Sequence, residues 1–408
     1  MRVVSCCRLT QTGAWRAAAV AFLGLCLGAP LAAADDAKPR DPAAVITQLF
    51  QNPDAAQSLL APSIDQTAAE KLATVARQVS RALGPVDGVD YVDWKYRIRF
   101  AKALAFVDAE FDPQARLTSF RILREAPRIQ SLEQAEKLVL GLSDKTALLI
   151  EKGGKDLAAA EADTPLAVGS AFKLSYLAAL ADAVKAGRLA WAQLVPLQAK
   201  WRALPTGILQ DWPAESPMTI EALASLMISL SDNTATDAVM DLVGRDAIQK
   251  YAYGNDPILS PREYLVLSSQ GEAPLQQRFL AASPADRAGM LKSIATAPLP
   301  QTGEIGVVAP SPIEWHYSAR QLCTLIEQVH ALPAMQINTG LAARSDWSEI
   351  AFKGGGDHGV FNITTRLAPK EGPAYCVSVT VNGDHDLNET QLVSVLTGLV
   401  FYLHDKSP

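Results

Sequence analysis

Ser170-Ala171-Phe172-Lys173-Leu174-Ser175-Tyr176-Leu177-Ala178-Ala179-Leu180-Ala181-Asp182-Ala183-Val184 is apolar nearly all round. Read at helical spacing, it predicts a helix buried on every side. Upstream, the apolar run 146–150 ends at Gly153-Gly154 and reads as the first strand of a sheet. Helical patterns continue downstream to about Val329, and 350–352, 359–367 and 374–381 then read as strands joined by short turns, as in an antiparallel meander. Asn388 caps a last helix whose Leu392, Val395, Leu396, Leu399 and Leu403 make one apolar face. A strand, then helices, then strands again predicts an α+β fold, an antiparallel sheet with a helical insertion.

A smaller unit is expected ahead of this one. Asp41-Pro42 opens a helix carrying Val45, Ile46, Leu49 and Phe50 on one face. A second helix, 64–83, places Leu72, Val75, Val79 and Leu83 at helical spacing and stops at Gly84-Pro85. Trp94, Tyr96, Ile98 and Phe100 then alternate with Lys95, Arg97 and Arg99, the period-two pattern of a half-exposed strand. With strands at 104–111 and 117–123 this makes a small α+β unit ending near Arg128, and its alternating polar residues form no catalytic cluster. The larger unit begins with a capping-box signature, Ser131 to Gln134.

The chain has 408 residues, 37 basic against 43 acidic, with a formal charge of −6 and no basic run. That balance sets nucleic-acid binding aside. Arg2, Arg8 and Arg16, an apolar stretch from Ala17 to Leu27 and Ala32-Ala33-Ala34 read as a secretory signal peptide, so the product is expected to be periplasmic or secreted. Leu25 stands where a lipid-attachment site before Cys26 would want a small residue. No later segment is long and apolar enough to span a bilayer, so no integral membrane segment is expected. The expected divisions are a leader at 1–34, a helper unit at 35–128 and the main unit at 129–408. Of the five cysteines only Cys323 and Cys376 lie beyond the leader. They read as buried thiols acting as small hydrophobes, with a single bridge as the alternative.

Ser170 and Lys173, three apart at a helix start, come within reach of each other. A lysine desolvated there is a base for the serine hydroxyl, and the helix start presents free amides to an oxyanion. Ser231-Asp232-Asn233 lies between two helical patterns, and Lys353-Gly354-Gly355-Gly356 leads from a strand into a glycine-rich turn. In this order and in these settings, the tripeptides are the S-x-x-K, S-D-N and K-x-G set of class A β-lactamases and penicillin-binding proteins. The stretch from Met227 to Asp237 resembles the corresponding helix-loop-helix of those enzymes nearly throughout, and the resemblance runs from about Leu132 to His404. The layout, with Phe352 to Val360, is similar to the β-lactamase-like protein of clavulanic acid biosynthesis. That likeness implies a steroid-isomerase or cystatin-like front domain.

The resemblance implies an exported serine hydrolase that cleaves an amide or ester through an acyl-enzyme, or alternatively a penicillin-binding-like protein that is acylated without turnover. It makes Ser170 the nucleophile, Lys173 its base and Ser231 a proton shuttle. Asn233, Lys353, Gly355, Gly356 and His358 would meet a small acyl substrate, with the amides of Ser170 and Gly356 as the oxyanion hole. No cofactor or metal is implied. Two departures stand out. Gly354 replaces the usual hydroxyl residue, and no glutamate stands in an E-x-x-L-N context. The nearest acid, Glu263, follows Ser260-Pro261 and reads as a first-turn helix acid. The histidines His316, His330, His358, His385 and His404 show no metal-ligand spacing, and Asp384-His385-Asp386 reads as a turn. Trp315 and Tyr317, in Glu314-Trp315-His316-Tyr317-Ser318, read as core aromatics, with the rim of the site as the alternative.

Overall fold

The computed structural model describes residues 41–407 apart from 302–303 and 305–310, so the expected leader lies outside the described residues. The described residues divide into two compact units, one made of 41–91 with 95–101 and 105–125, the other chiefly of 126 onward.

In the first unit, helix α1 (Pro42–Gln51) starts at Asp41, whose carboxylate accepts the Ala43 amide. Helix α2 (Gln66–Leu83) starts at Asp65 and ends at Gly84, where φ is 87°. Their apolar faces cover a sheet of β1 (Val86–Val92), β2 (Lys95–Phe100), β3 (Ala103–Phe111) and β4 (Leu117–Pro127), paired in chain order. The expected strand is shorter at its start, because Asp93 and Trp94 both take positive φ in the β1–β2 turn. Trp94 is 87% exposed there, off the core face. A hairpin turn of that kind is normally announced by Asn-Gly or Asp-Gly, which is why β1 has no sequence signal.

The second unit opens with α3 (Leu132–Leu140), whose Ser131 cap accepts the Gln134 amide. Its sheet contains β5 (Lys145–Lys152), β6 (Lys155–Ala160) and, late in the chain, β9 (Glu349–Asp357), β10 (Val360–Ala368) and β11 (Tyr375–Asn382). The spatial order is β9-β10-β11-β5-β6, antiparallel throughout. Both faces are covered. Leu148, Ile150, Val377, Val379 and Val381 pack with α3 and the C-terminal helix α9 (Glu389–Asp405), whereas Leu149, Ala351 and Cys376 join the core of the helical insertion. Coverage of both faces explains why β5 reads as a continuous apolar run instead of alternating.

Within the insertion are the short strand β7 (Leu166–Ala167), α4 (Lys173–Lys185), α5 (Ile220–Ser229), α6 (Asn233–Val243), α7 (Pro261–Leu267), β8 (His316–Tyr317) and α8 (Ala319–Val329). The expected one-piece helix at Ser170 is instead a 3-10 turn, Gly169–Phe172, followed by α4. Asn382 positions this turn. It donates to the Ala167 carbonyl at 2.9 Å and accepts the Ala167 amide at 3.0 Å, pairing like a strand residue.

The preferred reading of Cys323 and Cys376 as thiols is corrected, since they are joined in a disulfide. Helix α8 lies along β10 and β11 and brings the two Cα atoms to 5.9 Å, within bridging range. Closing a loop of 53 residues in this way contributes about 4 kcal/mol in the chain-entropy account.

Candidate active site

Two backbone segments interlock around Ser170. Gly169 has φ 49°, and a Cβ on it would stand 2.7 Å from the Gly356 amide nitrogen. A Cβ on Gly355 would stand 2.0 Å from the Val168 carbonyl oxygen and 2.7 Å from the Ser170 nitrogen. No side chain fits at either place, so the glycines let the end of β9 lie directly on the nucleophile turn. The backbone nitrogens of Ser170 and Gly356 thus lie in the two segments that touch. Gly354 has a different neighbour, because a Cβ there would press on the Phe352 ring at 2.9 Å. The hydroxyl residue expected at this position is replaced by glycine where Phe352 occupies the space.

Lys173 is 0% exposed, and its ammonium nitrogen has acceptors on every side. It lies 3.1 Å from Ser170 Oγ, 2.9 Å from Ser231 Oγ, 2.7 Å from the Ser231 carbonyl and 2.7 Å from Asn233 Oδ1. Burial, reinforced by the nearby Lys353 charge, holds its pKa well below the ordinary lysine range, against the opposing pull of Asp232 and Asp237. Lys353 donates to Ser231 Oγ at 3.2 Å and to the Gly354 carbonyl at 2.5 Å. Burial pushes its pKa down to about 7. Ser170, Lys173, Ser231 and Lys353 thus form one connected group in which burial pushes both amines toward their neutral forms.

The S-D-N segment is held under strain. Ser231 has φ 55°, unusual for a residue with a side chain, and its carbonyl accepts from both Lys173 and Thr206 Oγ1. Asp232, fully buried, caps α6 through the Ala235 amide and also accepts the amides of Ile208 and Leu209. Asn233 turns inward, accepting from Lys173 and donating to the Leu204 carbonyl at 2.6 Å. Its amide thus braces Lys173.

His358 does not join the connected group. It is exposed, its backbone amide donates to Asp357 and its ring pairs with Asp386 at 3.0 Å. Asp384 is engaged by Lys145, so the Asp384-His385-Asp386 stretch is a tied-down turn. Glu263 forms the reciprocal capping box with Ser260 and pairs with Arg245 at 2.5 Å. The carboxylate is 3% exposed and occupied by structure. Trp315 and Tyr317 are core residues, with Trp315 stacked on Phe172 at 3.8 Å. Among the described residues, the one cluster with metal-ligand spacing is Glu151, Cys323 and Cys376, and its sulfurs are bridged.

The sequence reading missed the brace at Asn382 and a carboxyl cluster of Glu314 and Asp357 with Tyr264. Each joins residues far apart in the chain, and no local pattern marks them.

Residues 128–305 match the Beta-lactamase enzyme family. Among solved structures, a β-lactamase from Sphaerobacter thermophilus is 18% identical over 68% of this chain and 100% of its own, with a TM-score of 0.45. PBP-A is 20% identical over 69% and 99%, with a TM-score of 0.43. A β-lactamase from Xanthomonas campestris pv. campestris is 14% identical over 66% and 95%, with a TM-score of 0.46. No curated protein sequence matches the chain.

Proposed function

We propose that this chain, β-lactamase-like in its second unit, is an exported serine hydrolase that cleaves an amide or ester of a small acyl substrate through an acyl-enzyme on Ser170. The observation that carries this reading is the connected group itself: a serine hydroxyl 3.1 Å from a fully buried amine whose pKa is held low. Neutral Lys173 takes the Ser170 proton as Oγ attacks the carbonyl carbon. The amides of Ser170 and Gly356 hold the oxyanion, and Ser231 passes the proton to the leaving nitrogen or oxygen as its bond to carbon breaks. Lys353 attracts a substrate carboxylate, with Asn233 and Gly355 lining the same spot. Export is supported by the leader pattern at 1–34 and by the disulfide, which suits an oxidising compartment. Among the described residues no helix is long and apolar enough to cross a membrane.

Incubation with a chromogenic cephalosporin, a penicillin and short p-nitrophenyl esters tests this directly. Product together with a covalent mass increment is expected, and neither appearing with any of these substrates would remove the hydrolase reading.

A second reading, acylation without efficient turnover, is favoured by one feature. Glu263, the nearest acid in the expected region, is held by its capping box and by Arg245. A good β-lactam should therefore release a burst of about one equivalent of product and then turn over slowly. In Glu263→Gln the slow phase should be unchanged while the melting temperature falls, since the buried pair loses its charge. Burst-free turnover that collapses in Glu263→Gln would assign the water-activating role to Glu263 instead.

A further inference from the structure

Behind the nucleophile turn lies a second polar group that the acyl-transfer chemistry above does not use. The Val168 amide donates to the Trp315 carbonyl at 3.0 Å, and the Trp315 ring stacks between Phe172 and Tyr264 with centroids at 3.8 and 4.8 Å. Tyr264 carries its hydroxyl to two carboxyl groups, Asp357 Oδ2 at 2.8 Å and Glu314 Oε1 at 3.3 Å. Glu314 is 5% exposed, and its other oxygen accepts the Trp315 amide at 3.1 Å. Asp357 ends β9 and directly follows Gly356.

Among the described residues no lysine, arginine or histidine side chain pairs with either carboxyl. The Asp357 oxygen atoms meet Tyr264 and the His358 backbone amide, while the His358 ring turns to Asp386. Ser311 reaches the Tyr264 hydroxyl, and the His316 ring lies on the Glu314 carbonyl rather than its carboxyl. The Glu314 and Asp357 carboxyls also hydrogen-bond to each other, and with no cation beside them they cannot both be ionised at little cost. One must carry a proton and donate it to the other.

We infer that Glu314 and Tyr264 clamp Asp357, and with it the Gly356 amide one residue earlier, against the nucleophile turn, through a hydrogen bond that needs one proton shared between two carboxyl groups. This rests on the acyl-transfer reading of Ser170 and adds a positioning device to it. Glu314 is the proton carrier of the pair: burial first, then the Asp357 charge, hold its pKa well above the ordinary carboxyl range. Loss of that proton leaves two carboxylates facing each other, and the end of β9 moves away from Ser170. A carboxyl group whose folded-state pKa is raised gives stability that is complete below its unfolded value near 4.3 and is lost as pH rises through the folded one.

The test compares wild type, Glu314→Gln, Glu314→Ala and Asp357→Ala from pH 5 to 9, by melting temperature and by the acylation rate with penicillin. Gln donates at every pH, so Glu314→Gln should acylate well and should lose part of the wild-type decline in melting temperature and in rate as pH rises from 5 to 9. Groups such as Asp237 and Lys353 titrate alike in both proteins and cancel in the comparison. Glu314→Ala and Asp357→Ala should slow acylation roughly tenfold with penicillin affinity unchanged, a smaller effect than removing an oxyanion donor outright. Superimposable pH profiles for wild type and Glu314→Gln, or wild-type acylation in Glu314→Ala, would overturn the clamp. Should no protein in the set acylate, the acyl-transfer reading fails, and the melting profiles alone still decide whether the carboxyls share a proton.

Discussion

Ser170→Ala should show no covalent mass increment with penicillin and no burst with a chromogenic cephalosporin, while melting as wild type does. The expectation follows from geometry more than from the motif. Ser170 Oγ is the hydroxyl that meets Lys173 while sitting on the turn against which Gly355 and Gly356 lie. Ser231 also touches Lys173, at 2.9 Å, but its backbone is fixed in a strained conformation and its hydroxyl is shared with Lys353. Removing the Ser170 hydroxyl deletes one small exposed-edge group and no packing, so stability is preserved. A mass increment that persists, mapped by peptide analysis to Ser231 or any other serine, would move the nucleophile.

The second large effect concerns the base. Lys173→Met should slow acylation at neutral pH by about 100- to 10,000-fold, the span expected when a positioned general base is lost. Methionine nearly matches lysine in length and carries no charge to desolvate, which offsets the loss of a donor to Asn233 Oδ1, so the melting temperature should change little beside the rate. A gain in stability with a loss of rate would mark Lys173 as a group placed for chemistry against the preference of the fold. The pH dependence sharpens the test. In wild type the rate should reach its plateau at a pH well below the ordinary lysine range, because burial lowers the Lys173 pKa. For substrates bearing a carboxylate the rate should fall again above about 7, where Lys353 becomes neutral, and for uncharged esters this fall should be absent. Lys173→Met with an unchanged rate would require another base.

Much of this was legible because it is written locally. The buried helix after Ser170, the capped helix starts at Ser131 and Asn388, and the order of S-x-x-K, S-D-N and K-x-G all lie in short stretches of chain. Ser-Lys proximity was likewise predictable from spacing, though the turn that delivers it is 3-10 in place of α. What escaped notice depends on residues that only the folded sheet brings together. Asn382 is an ordinary strand residue until β7 is laid beside it. Tyr264, Glu314 and Asp357 come from a helix, a loop and a strand end. The β1–β2 turn at Asp93-Trp94 lacks the usual turn residues, and β6 is an edge strand with much of its length exposed. Pairing of the cysteines depended on α8 lying across β11, which no spacing announces.

The disulfide has a topological consequence for the proposed site. Joined at Cys323 and Cys376, the chain forms a closed ring that contains Lys353, Gly355 and Gly356 but leaves Ser170, Lys173 and Ser231 on the tail outside it. The charge-bearing strand and the nucleophile therefore belong to different parts of the covalent graph. A protease cut between Cys323 and Cys376 opens the ring without separating the fragments, so a nicked molecule runs as two pieces only after reduction. A cut between Ser231 and Cys323 instead frees the nucleophile from the ring, and only noncovalent packing then keeps the two halves of the site together.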